Sequence, residues 1–441
     1  MTSPSAMHCR PLAYDRSHTL PPITTFDELV GFLDPRSPLP SRQQGGRPPF
    51  PALGLAIAAY ERHFEVHFYT ALLPRILHWA SHPPTTYSTV TGLHFDAAPT
   101  RSSCGRYDRT TCRVDSHVAR YVLANMLLLN TPTSAAGAGT LDLARLLQSQ
   151  TQSRDGNVGV ARVLCLLAYF HRHVMHPDDD VPPRVIVLER REWCVDVPLD
   201  AMVGPLVPLR PMLSSMESSP AHHFVDFANR DLHIHSIIPS ATQEEVLFSC
   251  APEAFLAIGL CPRLADNQVV VLHNMERVCD YEGYLDSFAF AKLLPAPRIM
   301  TILAIDAVTS HHFSLPSVER DVRKAMLAFL DDGICYQDQQ QIRDGVVTGH
   351  WGCGVFGGNK THKLLQQWVA ASLANVPWVD YSVFQDAPLL ATWSTLILSI
   401  EAQGWSVADV VQKILVAYAA EPRGSFEAFV AQVVAASQRR A

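Results

Sequence analysis

The sequence predicts an α/β fold: helices layered around a mixed, partly parallel sheet, preceded by an all-helical domain. Three observations predict it. From residue 51 to about residue 171, apolar side chains recur at three- and four-residue spacing, the period of helices buried on one face. After the run His176-Pro-Asp-Asp-Asp-Val-Pro-Pro183 the texture changes, and short β-rich runs alternate with helical stretches, as in a sheet covered by helices. Hydrophobic residues make up 48% of the 441 and charged residues 17%, which supports a large core and excludes wholesale disorder.

Taken in order, residues 1–50 carry many Pro, Ser, Arg and Gly residues and read as a poorly ordered arm, with a short helix at Thr25–Leu33. Residues 51–180 read as the helical domain. Leu53, Ile57 and Tyr60, then Phe68, Leu72 and Ile76, fall at helical spacing. A Ser-, Thr- and Pro-rich loop is expected over Ser81–Thr111, with further helices at Val118–Leu129, Leu141–Gln148 and Val158–His171. The His176–Pro183 run reads as a linker. Residues 181–441 form the α/β part. Strands are expected at Val185–Leu188, Phe224–Phe227, Val269–Leu272 and Ile302–Ile305. Helices are expected at Glu244–Phe255, Val318–Leu330, Lys363–Leu373, Pro388–Ala402, Val407–Ala420 and Phe426–Gln438.

Charge and cysteine usage exclude several classes. Basic residues number 35 and acidic residues 42, a net charge of −7. Bulk electrostatic binding of nucleic acid or of an anionic membrane is therefore not expected. The ten cysteines include no C-x-x-C pair, so neither a disulfide framework nor a zinc knuckle is indicated. Histidines at 171, 173, 176, 222, 223, 233 and 235 lack matching carboxylate or thiolate spacing, and no metal site is expected. The longest apolar runs, Pro51–Tyr60 and Pro388–Ile400, fall short of a membrane span. The chain is expected to be soluble and intracellular.

Three segments have the residue types for chemistry. Val225-Asp-Phe-Ala-Asn229 reads as a strand end entering a turn, followed by Thr242-Gln-Glu-Glu245. Thr242 and Glu245 fit a capping box that opens a helix; the adjacent carboxylates also suit work on a glycosidic bond. A helix N-terminus lowers a carboxylate's pKa, whereas a general acid needs it raised, a term that an anionic substrate supplies. Next, Thr348-Gly-His-Trp-Gly-Cys-Gly-Val-Phe-Gly-Gly-Asn359 carries five glycines within ten residues ahead of a helix. Successive amides of such a loop can cradle phosphate, or it is a plain turn. Finally, Tyr281-Glu-Gly-Tyr284, with Phe356 and Phe384, offers aromatic faces suited to a nucleobase or to core packing.

In this order the pieces resemble the poly(ADP-ribose) glycohydrolase family. Val225–Arg230 resembles its VDFAN segment, Gln243-Glu244-Glu245 its QEE signature, and Tyr281–Tyr284 its Y-x-G-Y segment. Ile302–Ala307 resembles its I-x-A-I-D-A strand, and Thr348–Gly358 matches TGNWGCGAFGG apart from His350 and Val355. The resemblance implies a macrodomain-like α/β/α fold preceded by a helical accessory domain, and hydrolysis of the ribose–ribose O-glycosidic bond of poly(ADP-ribose) to release ADP-ribose. It implies Glu245 as acid/base, with Glu244 on the ribose hydroxyls. Asp226 and Asn229 would position the ribose and the loop, and Gln243 and Glu217 would contribute to binding, the latter at the adenine. Gly354, Val355 and Phe356 would hold the pyrophosphate, while Tyr284 and Phe384 flank the adenine. No cofactor or metal is implied. The implied partners are poly(ADP-ribose), ADP-ribose and poly(ADP-ribosyl)ated proteins.

One departure stands out. Where the family has three glycines before QEE, this chain has His233-Ile234-His235. Three side chains are expected to obstruct backbone approach to the substrate or to force a different loop path. Alternatively, a protonated His233 or His235 supplies a contact to phosphate. The chain is thus expected to be an active glycohydrolase; the alternative is a catalytically weak or inactive module that binds ADP-ribose or its polymer.

Overall fold

Nine strands form one sheet in the computed structural model, which describes residues 6–14, 22–34, 49–150, 154–175, 182–195, 198, 201–331 and 344–439. They are β1 Thr100–Arg101, β2 Tyr107–Asp115, β3 Val185–Trp193, β4 Leu209–Met212, β5 His223–Asp226, β6 Gln268–Glu282, β7 Ala289–Ala304, β8 Val346–Thr348 and β9 Val379–Ser382. Their order across the sheet is β1-β2-β3-β6-β7-β5-β8-β9-β4. The half from β1 to β7 is antiparallel, and the half from β7 to β4 is parallel. The expected mixed sheet is therefore present.

Side-chain alternation in the central strands produces the layers. Phe224, Val270, Leu272, Ile302 and Ala304 face one core. Their neighbours Val225, Val269, Val271, Leu303 and Ile305 face the other, as the two-residue period of a strand requires. The first core is covered by helices Pro51–Phe64, Ser116–Leu127, Arg154–Met175 and Gln243–Cys250. The second is covered by Leu315–Phe329, Lys360–Leu373, Ala387–Ala402, the helical stretch 407–420 and Phe426–Gln438. The result is a helix–sheet–helix sandwich of macrodomain type.

Several expectations need correction. The loop expected over Ser81–Thr111 contributes β1 and most of β2, and β2 pairs with β3 along nine residues, from Tyr107↔Trp193 to Asp115↔Val185. Its charged and threonine-rich sequence concealed it, because only Tyr107, Cys112 and Val114 are buried. The segment 51–180 is therefore not all helix. Nor does the boundary at 180 divide the core: one apolar cluster runs from Leu53 and Tyr169 to Phe224 and Ile302. The linker at His176–Pro183 lies largely outside the described residues. Part of the N-terminal arm is packed: Met7 and Cys9 are buried, and Met7 bridges to Leu93. The helix expected at Thr25–Leu33 is Phe26–Leu33, capped by Thr25 and Glu28. Among the described residues one helix, Asn157–Met175, is long and apolar enough to cross a bilayer, but 83% of its apolar window is buried in the fold, as in a core helix.

Candidate active site

The parallel strands β5, β8 and β9 and the end of β7 deliver their loops to one rim, at their carboxyl ends. Open α/β sheets place ligand crevices there. β5 ends at Asp226, β7 leads to Asp306 and Ala307, β8 leads into the glycine-rich loop, and β9 leads to Phe384. The sheet thus gathers three segments that lie far apart in sequence. Gly349 faces Phe227, whose ring a Cβ there would meet at 3.3 Å.

Helix Gln243–Cys250 brings its first turn under this rim. Thr242 and Glu245 form the expected capping box: Glu245 Oε2 accepts the Thr242 amide at 2.9 Å, and also its hydroxyl. The same carboxylate is 4% exposed. Gln243 braces the preceding turn: its Nε2 donates to Val225 O at 3.0 Å and its Oε1 accepts the Phe227 amide at 2.8 Å. Its amide is therefore occupied with main chain. Glu244 accepts the His233 amide at 2.6 Å on Oε1 and the Asn229 amide at 3.3 Å on Oε2. Asp226 is fully buried, and neither of its carboxylate oxygens has a partner.

These three carboxyls differ in electrostatic state. Burial raises Asp226 well above the carboxylate range, and the Glu245 charge adds to that. Burial likewise raises Glu244, with Asp226 and Glu245 acting the same way. Burial pushes Glu245 up too, but neighbouring His233 and the Arg162 guanidinium, with the Thr242 hydroxyl, outweigh it and hold Glu245 below its ordinary value. One carboxyl shifted down thus sits beside two shifted up. Opposed shifts of this kind are what acid–base chemistry requires.

The rewritten loop resolves the conflict posed by its side chains. His233, Ile234 and His235 have φ of 54°, 51° and 53°. All three occupy the left-handed region that favours glycine. The His233 ring is fully buried, turned inward against Phe248 and Phe255. Its Nε2 accepts from Arg162 Nη2 at 2.9 Å, which leaves the Nδ1 proton for Ser236 O, also at 2.9 Å. Burial, with the Arg162 charge in the same direction, lowers its pKa to about 4. A protonated His233 reaching phosphate is therefore excluded. His235 lies 3.8 Å from Asp231, and Ile234 is 44% exposed.

The sequence reading missed Arg162. It is fully buried in helix Arg154–Met175 and donates to Ser249 Oγ, Ile238 O, Ser240 O and His233. It clamps the segment 233–249 from below. A lone guanidinium in the run Val158-Gly-Val-Ala-Arg-Val-Leu-Cys-Leu-Leu167 was the available signal.

In the glycine loop, Gly352 and Gly357 have φ of 71° and 70°. A Cβ on Gly352 would lie 2.5 Å from Ala307 Cβ. Gly358 N donates to Gly352 O, and Gly357 N to Gly354 O. The amides of Gly354, Val355 and Phe356 take part in none of the loop's backbone hydrogen bonds, and Val355 is 92% exposed. That leaves a small nest of donors in an exposed loop. The Tyr284 and Phe384 rings meet edge to face at 5.5 Å and 63°. A base between them would need roughly 7 Å, so one ring has to swing to admit it. Glu217 accepts the Tyr281 hydroxyl at 3.1 Å.

Comparison with known proteins completes this picture. Residues 213–391 match the family described as poly(ADP-ribose) glycohydrolase, macro domain fold. This segment belongs to the poly(ADP-ribose) glycohydrolase family. Poly(ADP-ribose) glycohydrolase 1 of Arabidopsis thaliana is 27% identical over 263 residues, 43% of this chain and 48% of that protein. Poly(ADP-ribose) glycohydrolase 2 of Caenorhabditis elegans is 30% identical over 188 residues, 37% of this chain and 38% of that protein. The chain spans about half the length of the curated relatives it matches, or less. A solved poly(ADP-ribose) glycohydrolase from Deinococcus radiodurans, in complex with ADP-ribose, aligns at 18% identity over 46% of this chain and 88% of its own, with a TM-score of 0.27. The glycohydrolase-family segment holds every expected site residue from Glu217 to Phe384, whereas Arg162 lies outside it.

Proposed function

We propose that this chain hydrolyses the ribose–ribose O-glycosidic bond of poly(ADP-ribose) and releases ADP-ribose. The observation that carries the reading is the cluster of Asp226, Glu244 and Glu245, with opposed pKa shifts, on the rim that also holds the loop with the Gly354–Phe356 amides free of backbone hydrogen bonds. The amides take the pyrophosphate, and Tyr284 and Phe384 take the adenine, with Glu217 at its edge. Glu244 holds the ribose hydroxyls, Asp226 and Asn229 position the ribose and the loop, and Gln243 keeps the turn in place. In the free chain Glu245 lies below its ordinary pKa. An incoming diphosphate adds negative charge beside it and raises it, which supplies the proton that a general acid needs. The proton passes to the departing ribose oxygen as the C1″–O bond breaks. Water then adds to C1″ and returns a proton to Glu245.

On this reading the partners are poly(ADP-ribose), ADP-ribose and the proteins that carry the polymer, met by a monomer in the nucleus or cytoplasm. The test is release of ADP-ribose from purified polymer by the full chain and by Glu245→Gln. Release by the wild type that is lost in the variant supports the assignment. A folded wild type that binds ADP-ribose without releasing it from polymer overturns the hydrolase reading in favour of a binding module.

A further inference from the structure

Behind the site, three cysteines converge. The Sγ atoms of Cys165, Cys250 and Cys279 lie within 4.8 Å of one another, and all three residues are buried, none more than 2% exposed. They come from separate elements: Cys165 from helix Arg154–Met175, Cys250 from the last position of helix Gln243–Cys250, and Cys279 from β6. Each element also carries part of the candidate site. Arg162 is one turn before Cys165, Glu244 and Glu245 open the helix that Cys250 closes, and Tyr281 and Tyr284 follow Cys279.

We propose that Cys165, Cys250 and Cys279 form a three-thiolate site for one thiophilic d10 cation, Cu(I) in preference to Zn(II), which staples together the elements behind the active-site rim. This inference is independent of the reaction proposed above.

The geometry supports it in three ways. Sulfurs bound to one ion at about 2.3 Å stand about 4 Å apart, so the observed cluster needs only a small contraction. Second, the β6–β7 register shifts between Arg277 and Cys279, and Val278 and Cys279, successive residues, both enter the same core. Regular alternation forbids that, and the irregularity is the device that aims Cys279 at the other sulfurs. Third, guanidiniums stand on the same elements: Arg162 is one turn before Cys165, and Arg277, which also pairs with Asp280, is two residues before Cys279. Loading Cu(I) onto three thiols releases three protons and leaves a net charge of −2, which these cations partly offset. No fourth His, Cys, Asp or Glu ligand joins the group among the described residues. Soft three-sulfur coordination suits Cu(I) better than four-coordinate Zn(II).

The test uses the full chain with Cys104, Cys194 and Cys335 changed to Ser, because Cys104 and Cys194 are exposed thiols and Cys335 lies outside the described residues. Protein is isolated anaerobically from cultures supplied with copper or with zinc, and its metal content and X-ray absorption are measured. The expected result is about one copper per chain, with three sulfurs at about 2.3 Å. The same coordination filled by zinc in the second arm supports the site and reassigns the cation. Cys165→Ala and Cys279→Ala, added singly, are expected to lower metal retention roughly 10- to 100-fold with unchanged circular dichroism. Should these variants fail to fold, the absorption spectrum of the parent still decides. Metal-free protein in both arms, coordination by nitrogen or oxygen, or a disulfide within the trio would overturn the proposal.

Discussion

Arg162 donates from Nη2 to His233 Nε2 over 2.9 Å, across 71 residues of sequence. The bond ties the fully buried guanidinium of one helical layer to the loop that precedes Gln243-Glu244-Glu245. It also fixes the His233 tautomer, because an accepting Nε2 places the proton on Nδ1.

Replacing Arg162 with Met should cost roughly 3 kcal/mol or more, since it strands Ser249, two carbonyls and His233 without their donor. Lys should not rescue it, lacking the planar fork that reaches four acceptors. Urea unfolding checks both variants. Loss of the charge also removes part of what holds Glu245 low, so the Glu245 titration, followed by NMR, should move upward.

Ile234→Gly should stabilise the chain by about 1 kcal/mol, because a β-branched residue at φ 51° is strained and glycine is not. The Ile234 side chain is 44% exposed, so little burial is lost in exchange. A destabilised variant would contradict the left-handed path of this loop.

Gly352→Ala should be severe. Its Cβ would meet Ala307 Cβ at 2.5 Å in a backbone with φ of 71°. A loss of roughly 2 kcal/mol or more is expected, and calorimetry with ADP-ribose should show weaker binding as the Gly354–Phe356 amides are displaced. Gly354→Ala, with nothing within 4 Å of the added methyl, is the matched control and should leave stability nearly unchanged.

Stability should fall as pH drops from about 6.5 toward about 4. Burial lowers His233 from 6.5 to about 4 in the folded chain, so the unfolded chain binds more protons within that window. The contribution is complete above 6.5 and is lost as pH falls through the folded value, at up to roughly 1.4 kcal/mol per pH unit. His350, lowered to about 4 by burial and by Lys360, acts in the same direction. Asp226 and Glu244 oppose it, since their raised values favour folding at low pH and lose that effect as pH rises through them. Comparing His233→Asn with wild type across this window isolates the histidine, and the variant should have the shallower slope.

Phe384→Ala should weaken ADP-ribose binding about tenfold, by removal of one aromatic face. Phe384 is 50% exposed, so stability should change little. Equal affinity in variant and wild type would remove Phe384 from the site.

Much of this was legible in the sequence, and the failures have physical causes. The long central strands announced themselves because runs such as Val269–Leu272 are buried on both faces. β4, β8 and β9 are three or four residues long, too short for a period to show. The capping box was readable because its residues are three apart; the Arg162–His233 contact was not, because nothing local encodes it. Loss of the glycines suggested a new loop path. In the structure the three residues take left-handed backbone and one ring turns into the core, an outcome that depends on the Phe248 and Phe255 rings and on a donor from a distant helix.

The pairing of β2 with β3 has a consequence for how the protein is made and handled. During synthesis Tyr107–Asp115 leaves the ribosome about 70 residues before Val185–Trp193, and has no partner until then. A fragment begun at residue 181 would reverse the problem. It would expose nine residues of bare strand margin, open to pairing with other molecules. Such a truncation is expected to precipitate or self-associate, so the glycohydrolase-family segment should be expressed together with the preceding residues that complete its sheet.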